Sequence, residues 1–321
     1  MMAIKRFFGV LFLLLIKATA IAGDSRLNPQ QILMEMRQAM NTLNYQGTVV
    51  FSKDGSVEPM KYFHSSQNGL EQEYLLSLNS PLREIIRNKN EVIFLFKETQ
   101  QVVVKSRNFE QSFLIDMPKD LHELDSVYRF DEINEETVAM KPSYVITIQP
   151  KDKFRYVRKL WVEQQHFLPL MLVVYDLSGK VLEKVMFTDM EVKGFVPFKD
   201  ITSLPIKPEQ QPNLPLTEAS FTVNRLPQGF REIFFAQTPL HDNRQPVEHL
   251  LLSDGFTSVS VYVENKNANT GEVVPDGLQS IGATNSFTRT INNSQITVMG
   301  EVPEQTVKLI AEGIELRKMK K

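Results

Sequence analysis

PKDKFRYVRKLWVEQQHFLPLMLVVYDLSGKVLEKVMFTDMEV, residues 150–192, decides how this chain folds. It reads as three β-strands, at 154–163, 167–176 and 180–192, joined by the polar turns QQH (164–166) and LSG (177–179). Connections this short fit only antiparallel neighbours, because a parallel pair needs a long crossover. In the middle strand both alternating sets are apolar: Leu168, Leu170, Leu172 and Val174 on one face, Met171, Val173 and Tyr175 on the other. A sheet with one wet face should alternate apolar and polar. The second face must therefore be covered as well, by another layer or by an apolar ligand.

Upstream, the same two-residue period recurs at 45–52, 60–66, 70–77, 83–88, 91–97, 102–106, 128–133, 137–140 and 143–149. Turn residues such as Lys53-Asp54-Gly55 and Gln67-Asn68-Gly69 separate these strands. A helical turn is expected at 118–124. Before them all, Asn28-Pro29-Gln30-Gln31 opens a helix: Asn28 as N-cap, Pro29 in the first turn, Gln31 closing a capping box. Ile32, Leu33, Met36, Met40 and Leu43 fall on one face of it. Many short antiparallel strands with one early helix predict a strongly curved, nearly closed sheet wrapped over helical segments.

Downstream, residues 197–216 hold Pro197, Pro205, Pro208, Pro212 and Pro215 and read as a stiff linker. A smaller unit, 217–318, carries expected strands at 230–237, 247–253, 257–264, 286–291 and 295–302, with a polar loop at 265–277. A last helix opens at Pro303 and shows Val307, Ile310 and Ile314 on one face. The fold class is thus mainly β (α+β): an N-terminal half-barrel domain at 23–196, the linker, and a small C-terminal α+β domain.

Residues 1–22 have the layout of a secretory signal peptide: Lys5-Arg6, the apolar run 7–16, and the small-residue end Ala18-Thr19-Ala20-Ile21-Ala22. The run is about ten residues, well short of the roughly 20 that span a bilayer. Removing the three basic residues of this segment from the chain's 36 leaves 33 against 38 acidic ones, a formal charge of −5. Nucleic-acid binders need a net basic face, so that class of partner is not expected. The chain has no cysteine. Disulfides, thiolate metal sites, cysteine nucleophiles and N-terminal lipidation are all excluded with it.

No nucleophile elbow, P-loop, dinucleotide fingerprint or H-E-x-x-H motif occurs, and neither enzyme activity nor cofactor is expected. His241-Asp242 with His249 read as polar loop and strand-edge residues, since a metal or acid–base site needs converging partners. Lys151, Lys153, Arg155, Arg158 and Lys159 read as a solvated basic hairpin with Trp161 as a core tryptophan, or as a surface for anionic head groups or an acidic partner segment. Ser253-Asp254-Gly255-Phe256 reads as a β-turn. The two-sided apolar strands mean either a thick core or a concave cavity for acyl chains or an apolar peptide.

Several stretches together resemble one family, the RseB/MucB periplasmic regulators of the sigma-E envelope stress response. They are LNYQGTVVF (43–51), YRFDEI (128–133), PKDKFRYVRKLWVEQQHFLPL (150–170) and LEKVMFTDMEV (182–192), followed by RLPQGF (225–230), VEHLLLSDGFTSVSVYVE (247–264), GATNSFTR (282–289) and ITVMGEVPEQTV (296–307). The resemblance implies an unclosed barrel of the LolA/LolB lipoprotein-carrier type and a location in the periplasm. It also implies binding to the periplasmic region of a membrane-spanning anti-sigma factor, RseA or MucA. That binding would shield the anti-sigma factor from a DegS-type site-1 protease, and lipopolysaccharide or another lipid would release it. A lipid or lipoprotein carrier of LolA type is the rival reading, and a second copy of the chain stays open as a partner.

No short signature of the family defines either contact site, so residues are assigned on physical grounds. Tyr156, Leu160, Trp161, Met171, Val173 and Phe187 are expected to face lipid. Phe256, Ser258, Tyr262 and Arg289 are expected to face the protein partner.

Overall fold

The computed structural model describes residues 27–89, 91–106, 112–115, 117–118, 120–131, 134–202, 204, 218–238, 247–265 and 275–317. The expected signal segment, linker positions 205–216, His241-Asp242, loop positions 266–274 and the basic tail at 318–321 lie outside the described residues.

Helix α1 (Pro29–Thr42) starts as its sequence directs. The Asn28 side chain accepts the Gln31 amide at 2.8 Å, and Gln31 Oε1 accepts the Asn28 amide at 2.8 Å. It buries Ile32, Leu33, Met36, Ala39 and Met40.

The strands that follow are β1 (Asn44–Lys53), β2 (Ser56–Gln67), β3 (Leu70–Ser77), β4 (Arg83–Arg87), β5 (Glu91–Phe96) and β6 (Gln101–Ser106). After a 3-10 turn at His122–Ser126 come β7 (Tyr128–Phe130), β8 (Asn134–Val138), β9 (Lys141–Pro150), β10 (Val157–Glu163), β11 (Pro169–Tyr175) and β12 (Val181–Lys193). They form one antiparallel sheet in the order β6-β5-β4-β3-β2-β1-β12-β11-β10-β9-β7, with β8 also on β9. First and last strands, β1 and β12, meet in the middle, and among the described residues the sheet ends at β6 on one side and at β7 and β8 on the other. The barrel is unclosed. Gly47 allows the central seam: a Cβ there would lie 2.2 Å from the Asp189 carbonyl oxygen, beside the bulge at Thr48/Val49.

Directly paired residues of antiparallel strands share a face. One row runs Leu160, Leu172, Val185, Phe51, and the other runs Trp161, Met171, Met186, Val50. The Phe51 side of the sheet is the inner one. Its Tyr45, Val49, Met60, Tyr62 and Leu75 share a core with the buried side chains of α1.

Two devices cover the outer face. Over β2–β4 runs a strap, residues 196–202. Gln67 Nε2 donates to the Val196 carbonyl at 2.8 Å, and Gln72 exchanges two hydrogen bonds with the Lys199 backbone, at 3.2 and 2.6 Å. The Lys199 ammonium lies 5.0 Å from the Tyr74 ring centre and 3.0 Å from Glu84. On the other half, Trp161 is shielded by polar side chains. The Lys159 ammonium lies 4.8 Å from its ring centre, and its Nε1–H donates to Glu136 at 2.8 Å.

The C-terminal unit comprises β13 (Phe221–Val223), β14 (Arg231–Thr238), β15 (Val247–Ser253), β16 (Ser258–Asn265), β17 (Gly277–Ile281), β18 (Thr284–Ile291), β19 (Ser294–Gly300), α2 (Glu304–Glu312) and β20 (Ile314–Leu316). Six strands make a sheet in the order β14-β15-β16-β19-β18-β17, and β13 pairs with β20. Val307, Ile310 and Ala311 of α2 close its core with Val259, Val261, Ile296 and Val298.

Several boundaries differ from expectation for physical reasons. The first strand of the opening stretch begins at Val157 rather than 154, because 151–155 bend so that Arg155 can point into the domain junction. Phe167 has φ +58° and belongs to the turn, so β11 begins at Pro169. The helical turn expected at 118–124 forms at His122–Ser126. The last helix stops at Glu312, and Ile314 sits in β20 instead. Strands β13, β17 and β20 were not expected: none is longer than five residues.

Candidate functional site

The helix α1 covers only part of the inner face. Where its cover ends, the sheet lines an apolar cavity of about 490 Å³. Phe51, Met60, Leu75 and Ile85 supply the floor from β1 to β4, Phe113 closes one side, and Ile281 reaches in from the C-terminal domain. No α1 residue lines it. Around the rim Arg83 pairs with Glu58, and Lys53 pairs with Glu183 at 2.5 Å. An apolar floor with a few fixed polar groups at the mouth is the usual composition of a small-molecule site, and the volume lies within the customary range of about 300–1,000 Å³.

A second cavity, about 760 Å³, lies at the end of the β2–β3 hairpin, between Met40 of α1, Glu73, Arg87, Ile115 and strap residues Phe198 and Ile201. A buried polar network stands behind it. Glu73 accepts from the Tyr62 hydroxyl at 2.8 Å, the Ser112 hydroxyl at 2.8 Å, the Phe113 amide at 3.2 Å and Arg87 Nε. Arg87 Nη2 also donates to Glu71 at 2.9 Å. Burial opposes ionisation of Glu71, but the His64 ring 3.5 Å away and the Arg87 guanidinium outweigh it and hold the carboxyl below its usual range. The Tyr62 hydroxyl is pushed well above its ordinary value by burial and by the Glu73 charge.

The two domains meet at a third cluster. Arg155 is fully buried and pairs with the equally buried carboxylate of Asp254. It also donates to Asp152 and to the Gln228 carbonyl, and its guanidinium lies 4.8 Å from the Phe230 ring centre. Asp254 further accepts the Tyr128 hydroxyl at 2.9 Å and the amides of Phe256 and Thr257 at 2.9 and 2.8 Å. Phe256 meets Tyr128 edge-on at 5.7 Å. Burial, and then the Asp254 charge, push the Tyr128 hydroxyl up. Beside this cluster Asn285 Nδ2 donates to the Tyr156 hydroxyl at 2.8 Å, and the Thr306 hydroxyl donates to the Phe154 carbonyl at 2.8 Å.

The residues assigned from the sequence are distributed as follows. Tyr156 sits at the domain junction with Val174 and Ala283. Leu160 and Phe187 are inner-face core residues, and Trp161, Met171 and Val173 lie on the outer face. None of the six lines either cavity. Phe256 is buried at the junction. Ser258 and Tyr262 share the face of β16 opposite Val259, Val261 and Val263, where Tyr262 stacks on His249 at 4.5 Å. Arg289 donates to the Ile314 carbonyl at 2.7 Å. Burial lowers the His249 pKa to about 4.

The basic run at 151–159 is only in part the solvated hairpin expected: Lys151 and Lys153 are exposed and Trp161 is buried, but the two arginines are not solvated. Arg155 and Arg158 are buried, and Lys159 lies on Trp161, because the run feeds the junction. The cavity set Phe51, Met60, Leu75, Ile85, Phe113 and Ile281 was missed. Its signal was the number of apolar positions in β1–β4, more than a 14-residue helix can cover.

Comparison with known proteins assigns both units. The family model described as MucB/RseB N-terminal domain matches residues 28–214, and that described as MucB/RseB C-terminal domain matches 215–315. The Sigma-E factor regulatory protein RseB of Haemophilus influenzae is 26% identical over 93% of this chain and 95% of its own. The Sigma factor AlgU regulatory protein MucB of Pseudomonas aeruginosa is 26% identical over 94% of this chain and 95% of its own. Among solved structures, the Pseudomonas aeruginosa MucA/MucB complex matches with TM-score 0.68 and 25% identity, covering 90% of this chain and 99% of that one. MucB in complex with MucA(peri) matches with TM-score 0.66 and 24% identity, with the same coverage. With both of its domains matched, the chain belongs to the MucB/RseB family.

Proposed function

We propose that this chain is a negative regulator of an extracytoplasmic sigma factor. In this reading it is exported to the periplasm with loss of residues 1–22. There it binds the periplasmic region of a membrane-spanning anti-sigma factor and keeps the site-1 protease from it. A lipid such as lipopolysaccharide, one acyl chain lying in the cavity of β1–β4, then releases the partner. Both-domain family membership and the solved MucA/MucB complex support the partner. The observation that carries the lipid step is the cavity of about 490 Å³, floored by Phe51, Met60, Leu75 and Ile85 and left open by α1. A lipid frees the partner only if it binds the uncomplexed form better. On the partner side, the β16 face of Ser258 and Tyr262 is the proposed contact.

The test is cleavage of a purified anti-sigma periplasmic segment by its site-1 protease, with and without this chain, then with added lipopolysaccharide. Slowed cleavage that lipopolysaccharide restores is expected. Equal rates in all arms would sink the reading. The open cavity also suits a lipoprotein carrier, for which acceptor-dependent delivery of lipoprotein would be the sign.

A further inference from the structure

The cavity of β1–β4 is not a property of the N-terminal domain alone. Its last wall is Ile281, at the tip of the β17–β18 hairpin. This side chain is 66% exposed although it lines an apolar space, so most of its surface is free to gain contact with an apolar ligand. Three contacts hold the tip on the barrel rim. The Ala283 amide donates to Glu183 Oε1 at 3.0 Å. The Lys53 ammonium donates to the Thr284 hydroxyl at 3.1 Å while pairing with Glu183. Ala283 itself is fully buried against Tyr156 and Val174. Gly282 is required at this seat, because it has φ +59° and a Cβ there would lie 2.6 Å from two carbons of Lys53.

We propose that the β17–β18 tip is a movable wall of the lipid cavity, so that lipid occupancy and docking of the C-terminal domain strengthen each other. The proposal rests on the reading of this cavity as the lipid site. An apolar chain in the cavity gains contact with Ile281 only while the tip is seated. It therefore favours the seated form, and by reciprocity a seated tip favours the chain. Lys53 links the two physically, since it lines the cavity and holds the tip.

The experiment uses the full chain and cis-parinaric acid, a fluorescent fatty acid, with hydrogen exchange of the Ala283 amide as second readout. Glu183→Ala removes the carboxylate that holds the Ala283 amide and Lys53, and so weakens the hold on the tip, without altering a cavity-lining residue. It is expected to weaken the fatty acid about tenfold, what partial burial of one isoleucine is worth. In the unsubstituted chain the fatty acid is expected to slow exchange at Ala283. If the fatty acid binds but neither the Glu183→Ala affinity nor Ala283 exchange changes, the coupling is overturned and the cavity reading survives. If the unsubstituted chain does not bind the fatty acid, the cavity reading falls and the coupling with it.

Discussion

Arg155 and Asp254 stand 99 positions apart in the chain and meet as a fully buried ion pair between the two domains. Each brings further partners, so neither charge is left without a hydrogen bond. Removing one partner of such a pair leaves the other buried and uncompensated, at a cost of about 3–5 kcal/mol. Asp254→Leu is therefore expected to lower the unfolding free energy by that order in urea titration. Combining it with Arg155→Met should restore part of the loss. A change below about 0.5 kcal/mol in the single variant would remove the pair from any account of domain docking.

Ile85 borders the apolar cavity from β4. Ile85→Trp fills part of the space and is expected to weaken fatty-acid binding at least tenfold while far-UV circular dichroism stays unchanged. Undiminished binding would move the lipid elsewhere.

Trp161 is the only tryptophan in the chain and lies on the outer sheet face, away from the cavity. Its emission maximum is expected to stay constant as a saturated fatty acid, which does not absorb tryptophan emission, fills the cavity, and to shift to the red in Lys159→Ala. A ligand-dependent shift in the unsubstituted chain would place the lipid on the outer face, along Trp161, Met171 and Val173.

His249 titrates at about 4 when folded, because burial disfavours its cation, against 6.5 when unfolded. Its folded pKa is depressed, so its neutral form contributes fully above 6.5. Below 6.5 the unfolded chain takes up the proton first, and the contribution is lost down to about 4. The loss is at most about 3 kcal/mol and is reduced by whatever solvent reaches the ring. His249→Phe should flatten stability between pH 6.5 and 4, measured by urea unfolding across that interval. An equal slope in both proteins would show that the ring is hydrated.

Local signals were legible in the sequence, and long-range ones were not. Asn28, Pro29 and Gln31 define the start of α1 because a cap is settled within four residues. The three strands of the opening stretch follow from their short turns. Their double-sided apolar character raises the right question, but its answer lies in Lys159 and Glu136, whose cover of Trp161 depends on tertiary placement. Arg155 looked like one member of a charge run, and Asp254 like a turn residue. Nothing local distinguishes a buried guanidinium from a solvated one when its partner is 99 residues away. The cavity was legible only as surplus apolar area, since no pattern says which part of a sheet one helix leaves bare.

The strap has a consequence for how the domains behave once the junction opens. Because Gln67 and Gln72 fasten residues 196–199 to the barrel, the tether to the C-terminal domain is rooted at the strap and not at the end of β12. From residue 204 to residue 218 a chain spans at most about 48 Å. A detached C-terminal domain stays within that radius, at an effective concentration in the millimolar range. The junction can therefore open and close again without the domains ever becoming independent molecules.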